Sequence, residues 1–356
     1  MDQTEILRAR RAQSGTSMLL LALLVVTCLG TDLLARNRGL ERLFTVKSRE
    51  LADKNHTVFS YTGNFIDFEE RLVLDEIPRA DFSKGGVYFF GTSNVKWAFQ
   101  TWDLPADQRQ HIGNYGIGAS NHKDQLEFIR YLTGQRGFLT AGDRDLVVLG
   151  VSFHLAHEDG PLGGYWASLL RRRGLYTVAG DGRIAPVPMN MILRWLRVEQ
   201  ARCAGFIWNF GRLAQAWLTA FRGSRHPVAH DGEKYRQGWR AFMGDHWQQN
   251  LDVAVNSLRA TISLVKSHHA GVKVMLLPQG TWMDPLPFKS QYEAKVRAVC
   301  AETDTPLIDL SRAIGDEDFV DSNHLTVEGQ ERFRALLMDK VPAQLRAASA
   351  PGTFSK

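Results

Sequence analysis

Gly86-Val87-Tyr88-Phe89-Phe90-Gly91-Thr92-Ser93-Asn94 is the stretch whose reading decides the fold. Val87 to Phe90 are β-branched or aromatic, with Gly85-Gly86 in front and Gly91 behind. That is the pattern of a short buried strand running into a turn. The turn carries a hydroxyl at Ser93. Open α/β sheets bind their ligands beyond the carboxyl ends of the strands, so a serine there stands where chemistry is done. The plainer reading is that Ser93 caps the next helix, a common use of serine and asparagine. The tripeptide alone leaves both readings open.

Outward from this stretch the pattern repeats. His111 to Gly118 reads as a second strand closing in a glycine-rich turn, followed by a helix over about 123–132. Glycines there let the backbone turn sharply and present an N–H outward. Asp145 to Ser152 is a third strand by its continuous apolar run, Val272 to Leu277 a fourth and Pro306 to Leu310 a fifth. Strands separated by helical lengths predict a doubly wound, flavodoxin-like parallel sheet of five strands in an α/β/α sandwich. We place this domain at 81–345, with a helical insertion at about 180–250. Within it, 186–222 alternates Met189, Met191, Leu193, Trp195, Leu196, Phe206, Ile207, Trp208, Phe210, Leu213, Trp217 and Leu218 with polar residues at helical spacing. Such helices serve either as ordinary core over the sheet or as a surface for a membrane or membrane-bound partner, where Trp and Arg concentrate. His226, His230 and His246 lack ligand spacing and read as surface or packing residues.

With 356 residues, 44% hydrophobic and 23% charged, the chain can bury one large core. A net charge of +5 is a mild bias, and clusters such as Arg171-Arg172-Arg173 need only be a solvated face. No zinc spacing, Walker loop or basic-aromatic interleaving argues for a metal, a nucleotide cofactor or nucleic acid. The three cysteines, Cys28, Cys203 and Cys300, are scattered and imply no disulfide framework. Residues 1–16 are polar, with Arg8, Arg10 and Arg11, and 17–35 is largely apolar. That length lies between a signal h-region and a full span, and no small-residue cleavage site follows. We therefore expect an uncleaved single-pass anchor at 17–35 in a bacterial inner membrane, with 1–16 cytoplasmic and the body in the periplasm. A buried core helix is the alternative. Residues 36–80 read as a juxtamembrane stalk, and 346–356 as a disordered tail.

Asp321-Ser322-Asn323-His324 gives the serine a purpose. A serine hydroxyl is a poor nucleophile until a base takes its proton. His324 can be that base, and Asp321 can fix its tautomer and stabilise the imidazolium. This loop follows the fifth strand, at the sheet edge that carries Ser93. A second Asp-x-x-His, Asp53 to His56, follows no strand signal and is set aside. A tetrahedral oxyanion needs N–H donors, which Gly118 and the Ser93 amide are placed to supply.

These blocks resemble the SGNH (GDSL-like) hydrolases. Gly91-Thr92-Ser93-Asn94 is similar to the nucleophile block, with Thr92 in place of the usual aspartate. Asn114-Tyr115-Gly116-Ile117-Gly118 is similar to the glycine block, and Asp321 to His324 to the closing block. The apolar amino-terminal segment, Val147 to His154, Met275 to Trp282 and Asp321 to Gly329 resemble the DltD-like branch, whose members are membrane-anchored. The resemblance implies a serine O-acyltransferase with the triad Ser93, His324 and Asp321. It would pass an acetyl or D-alanyl type group through acyl-Ser93 to hydroxyls of an envelope or secreted polysaccharide, beside a membrane-bound O-acyltransferase. It implies an oxyanion hole from Ser93, Gly118, Asn94 and Ser152. The family's third-block asparagine is absent, and Ser152 and His154 stand in that stretch. An O-acetyl esterase of the same polymer, or an idle scaffold binding polymer and acyltransferase, would use the same residues differently. No cofactor is implied.

Overall fold

The computed structural model describes residues 80–99, 111–157, 176–178, 184–193, 195–197 and 230–340, with part of 17–34 and 46–53 and a few single positions elsewhere. Five strands form one parallel sheet: β1 (Gly86–Gly91), β2 (Ile112–Gly116), β3 (Asp145–Val151), β6 (Gly271–Leu276) and β7 (Leu307–Asp309). Their order is β2-β1-β3-β6-β7. The expected five strands are therefore present within a residue or so of their predicted ends. β4 (Tyr176–Val178) and β5 (Ile184–Pro186), which the sequence reading did not anticipate, pair antiparallel as a separate ribbon.

The strands are apolar on both faces because helices cover both faces. Tyr88, Phe90, Val147, Leu149, Val272, Val274 and Leu276 turn to one side. There they meet α2 (His122–Arg136), α4 (Trp247–Ser267) and α5 (Pro287–Glu302), through Phe128, Leu258, Ile262, Tyr292 and Val296. Val87, Phe89, Leu146, Val148 and Met275 turn to the other. They meet α1 (Ser93–Lys96) and α6 (Val327–Lys340), through Val95, Phe333 and Leu337. Burying each such side chain is worth about 1.5–3 kcal/mol, so the two cores hold the sheet between its helices. α3 (Gly232–Met243) packs at the carboxyl edge through Tyr235 and Trp239.

The order also fixes where the edge opens. From β1 the chain crosses by α1 to β2 on one face, then returns by α2 to β3 on the other, and continues outward to β6 and β7. The direction reverses between β1 and β3, and a crevice forms beyond the carboxyl ends at such a switch point. Ser93 begins immediately beyond the end of β1.

Most of the segments expected as stalk, insertion helices and tail lie outside the described residues. So do Cys28, Cys203, His226 and much of the expected anchor. The described residues of 17–34 are helical, and Met18, Leu19, Leu20, Leu23 and Val26 are exposed. Among the described residues no helix is long and apolar enough to cross a membrane. In the insertion, 191–193 and 195–197 are helical, with Met191, Ile192, Leu193, Trp195 and Leu196 exposed.

Candidate active site

The short helix α1 holds the hydroxyl, and its seating is tight. Thr92 precedes it in extended conformation, and its carbonyl accepts from the Val95 and Lys96 amides. At the far end the buried Asn114 side chain, on β2, donates to the carbonyls of Val95 at 3.0 Å and Phe99 at 2.8 Å. Its own oxygen accepts from the Gly116 amide at 3.0 Å. Asn114 thereby ties the end of the serine's helix to β2. Gly116 is required beside it, since a Cβ there would stand 2.7 Å from the Lys96 Cα.

The loop between β7 and α6 delivers the other two groups. The Val320 amide donates to the His324 carbonyl at 2.8 Å, and the Thr326 amide to the Asp318 carbonyl at 2.7 Å, which pinches 318–326 into a tight excursion. Inside it, Asp321 Oδ1 accepts from the amides of Asn323 at 2.9 Å and His324 at 2.8 Å. Its Oδ2 lies 2.8 Å from His324 Nδ1. A carboxylate can only accept, so Nδ1 carries the proton and Nε2 presents its lone pair. Ser93 Oγ lies 2.9 Å from that Nε2. Serine, imidazole and carboxylate from two distant pieces of chain thus form one line.

Three neighbours hold the imidazole. The Trp97 ring, from the end of α1, packs on His324 with centroids 4.5 Å apart. Asn323 Nδ2 lies 3.3 Å from Nε2 and donates to Asn94 Oδ1 at 3.2 Å. Behind the loop, Trp282 Nε1 donates to the Ser322 carbonyl at 3.4 Å and its ring stacks on His230 at 4.5 Å. Tyr235, on α3, packs against the same Trp282. Neither the aromatic wall of His230, Tyr235 and Trp282 nor the Trp97 contact was anticipated. His230 was read as surface or packing, and it packs.

The electrostatics follow from these contacts. Burial pushes the Asp321 carboxyl up, but the His324 hydrogen bond and charge, with the two backbone amides, outweigh it and leave its pKa below the ordinary value. The loop therefore keeps a carboxylate where an imidazolium would need one.

The candidate oxyanion donors are placed unequally. The Ser93 and Asn94 amides head α1, where the first N–H groups have no intrahelical carbonyl. Gly118 sits in the turn after β2, which is fastened to β1 by the Ile117 amide donating to the Gly91 carbonyl at 2.9 Å. Ser152, just beyond β3, has no solvent-accessible surface, and its hydroxyl lies 3.2 Å from His154 Nδ1. That burial does not fit a side chain offered directly to a substrate. His154 is buried between Phe153 and Trp239. Burial and then the nearby His324 hold its pKa down at about 3, so it is neutral.

No family model matches the chain, and no curated protein matches it. Solved structures do resemble it. An acylhydrolase, so described, from Bacteroides fragilis superposes with a TM-score of 0.38 at 14% identity, covering 79% of this chain and 96% of its own. A GDSL-like lipase from Bacteroides thetaiotaomicron gives 0.38 at 12%, covering 78% and 98%. Protein YXIM from Bacillus subtilis gives 0.36 at 14%, covering 74% and 58%. Likenesses this distant assign no role to any residue, so the chemistry rests on the distances above. Among the described residues no cluster of His, Cys, Asp and Glu could hold a metal ion.

Proposed function

We propose that the chain is a serine acyl-transfer enzyme acting through acyl-Ser93. The observation that carries this is the 2.9 Å contact of Ser93 Oγ with a histidine whose other nitrogen is held at 2.8 Å by a carboxylate. As Oγ bonds to an ester carbonyl carbon, its proton passes to His324 Nε2 and the carbonyl electron pair moves to oxygen. Asp321 faces the imidazolium that results. Collapse breaks the bond to the leaving oxygen, which takes the proton from Nε2. A second hydroxyl then enters by the reverse steps. The oxyanion would be met by the amides of Ser93 and Asn94 with that of Gly118, each such donor being worth roughly a hundredfold or more in rate.

The finer reading is transfer of an acetyl or D-alanyl type group to hydroxyls of an envelope or secreted polysaccharide. It would take place outside the cytoplasm, with the chain anchored at 17–35 beside a membrane-bound O-acyltransferase. It is supported by the apolar amino-terminal segment and by the exposed Met191, Ile192, Trp195 and Leu196, which suit a membrane-bound partner. Hydrolysis of the same ester is the competing outcome, differing only in the acceptor.

The test is a labelled activated ester offered to the full chain and to Ser93→Ala, followed by mass spectrometry of the trapped protein. Label on Ser93, absent from the variant, is expected. No covalent adduct under any ester tried would leave only a binding role. Transfer to added polysaccharide only when a membrane fraction with the acyltransferase is present would separate transferase from esterase.

A further inference from the structure

Asn323 makes contacts that the serine-imidazole-carboxylate line does not use. It is 8% exposed, between the base and the nucleophile block. Its Nδ2 lies 3.2 Å from Asn94 Oδ1 and 3.3 Å from His324 Nε2, and its Oδ1 lies 3.1 Å from Ser322 Oγ. Asn94 Oδ1 is also 3.5 Å from Ser93 Oγ. In this state Ser322 donates to Asn323, and Asn323 donates to both Asn94 and the Nε2 lone pair. That suits a neutral His324. It does not suit the imidazolium, whose Nε2–H, directed at Ser93 Oγ 2.9 Å away, would lie beside a second N–H donor at 3.3 Å.

A carboxamide turned by 180° exchanges a donor for an acceptor at nearly the same positions. Turning Asn323 would put its oxygen against His324 Nε2–H and its nitrogen against Ser322 Oγ, and a hydroxyl accepts as readily as it donates. Asn94, turned with it, would donate Nδ2 to the Asn323 oxygen. The contacts Ser322–Asn323 and Asn323–Asn94 then each join a donor to an acceptor in either state.

We propose that Asn323 is a positioning residue whose carboxamide turns over with the proton on His324, donating toward Nε2 when it is bare and accepting from it when it is protonated. This rests on the reading of His324 as the base. During acylation the proton leaves Ser93 Oγ for Nε2 as the Oγ–carbon bond forms. The turned amide would hold that proton until the leaving oxygen takes it. Charged and titratable groups facing His324 from the surrounding elements are Asp321 on its own loop, His154 beyond β3, and Lys96 over the Trp97 ring at 5.5 Å; Tyr235 on α3 lies within the field of Asp321.

The experiment follows the His324 ring by NMR in histidine-labelled full-length protein, its resonance assigned by its loss in His324→Gln, so that the readout needs no activity. Asn323→Asp fixes an acceptor against Nε2 and should raise the midpoint by about one pH unit or more. Asn323→Leu removes the amide. A turning amide stabilises the imidazolium more than the neutral ring, because charge-assisted hydrogen bonds are the stronger. The Leu variant should therefore lower the midpoint, by about half a unit. An amide fixed as a donor opposes protonation, so a raised midpoint in Asn323→Leu would overturn the proposal. Unchanged midpoints in both variants, with only lower melting temperatures, would make Asn323 merely structural and equally overturn it. Should Asn323→Leu not fold, Asn323→Ala supplies the same comparison. Loss of ester turnover in the parent would instead strike the functional reading, which this titration leaves separate.

Discussion

Asp321→Asn is the substitution that most directly examines the proton-handling line. Asp321 Oδ1 accepts two backbone N–H groups, from Asn323 and His324, at 2.9 and 2.8 Å. An asparagine there must keep its oxygen on those amides, because its NH2 group cannot accept. Its nitrogen is then forced against His324 Nδ1, which must become the acceptor, so the ring proton moves to Nε2. Nε2 would then meet the Ser93 hydroxyl as a donor and could not take its proton. Fold and loop survive, since both amide contacts are kept, while the base is held in the wrong tautomer. Loss of the orienting carboxylate in this way costs on the order of 10⁴ in kcat. That is about 5.5 kcal/mol of transition-state stabilisation. The assay is burst and steady-state hydrolysis of an activated ester near pH 7.5, with thermal unfolding of both proteins as a control. Because the native Asp321 pKa is depressed, its contribution is present at neutral pH and is lost only as the pH falls through that lowered value. A variant that folds like the parent and keeps more than about a tenth of its rate would refute the tautomer reasoning.

Two further substitutions probe what supports the site. Gly116→Ala puts a methyl group 2.7 Å from the Lys96 Cα, against backbone that cannot rotate away. It should cost about 1–3 kcal/mol of stability and, by displacing α1, lower kcat more than KM; a variant with parental kinetics would show that α1 yields freely. Asp145, at the opposite end of β3, has its pKa raised to about 6 by burial. Its ordinary value is 3.8. The fold holds this proton more tightly than the unfolded chain does. The cost of ionising it is therefore absent below about pH 4 and reaches its full size as the pH rises past about 6. Asp145→Asn should flatten the fall in stability across that window, and denaturant curves that run parallel for parent and variant from pH 4 to 7.5 would dismiss the effect.

What the sequence exposed, and what it hid, divides along physical lines. Continuous apolar runs such as Val147 to Val151 were readable because a strand covered on both faces must be apolar at every position. The motif at 321–324 was readable because the carboxylate reaches the ring from within its own loop, so that one short stretch encodes the geometry. The contact of Ser93 with His324 was readable only as a consequence of topology, since both follow strands of a single parallel sheet. Contacts that depend on packing between elements left no such trace. Asn114 looked like part of a glycine-rich turn, yet its side chain fastens the end of α1. Trp282 stood only as the end of the Met275 to Trp282 stretch, yet it braces the carbonyl of Ser322. The ribbon of β4 and β5 is too short to show a period.

Ser152 shows how a local pattern and its burial can point in opposite directions. By order along the chain it falls where the resemblance expects an oxyanion donor. In the fold its hydroxyl is spent on His154, with no surface left for a substrate. A hydroxyl can reach a reacting oxygen only if it lines the cleft, whereas a backbone amide at the head of a helix faces outward whatever its side chain does. On the proposed acyl-transfer reading, stabilising the oxyanion falls to backbone amides, those of Ser93 and Asn94 at the head of α1 and that of Gly118 in the turn after β2. Those amides are set by the seating of α1 on Asn114 and Gly116 and by the fastening of Ile117 to Gly91. In this chain the precision of the site depends on how one four-residue helix is clamped against the face of β1 and β2, and substitutions at the clamp should be felt at the serine.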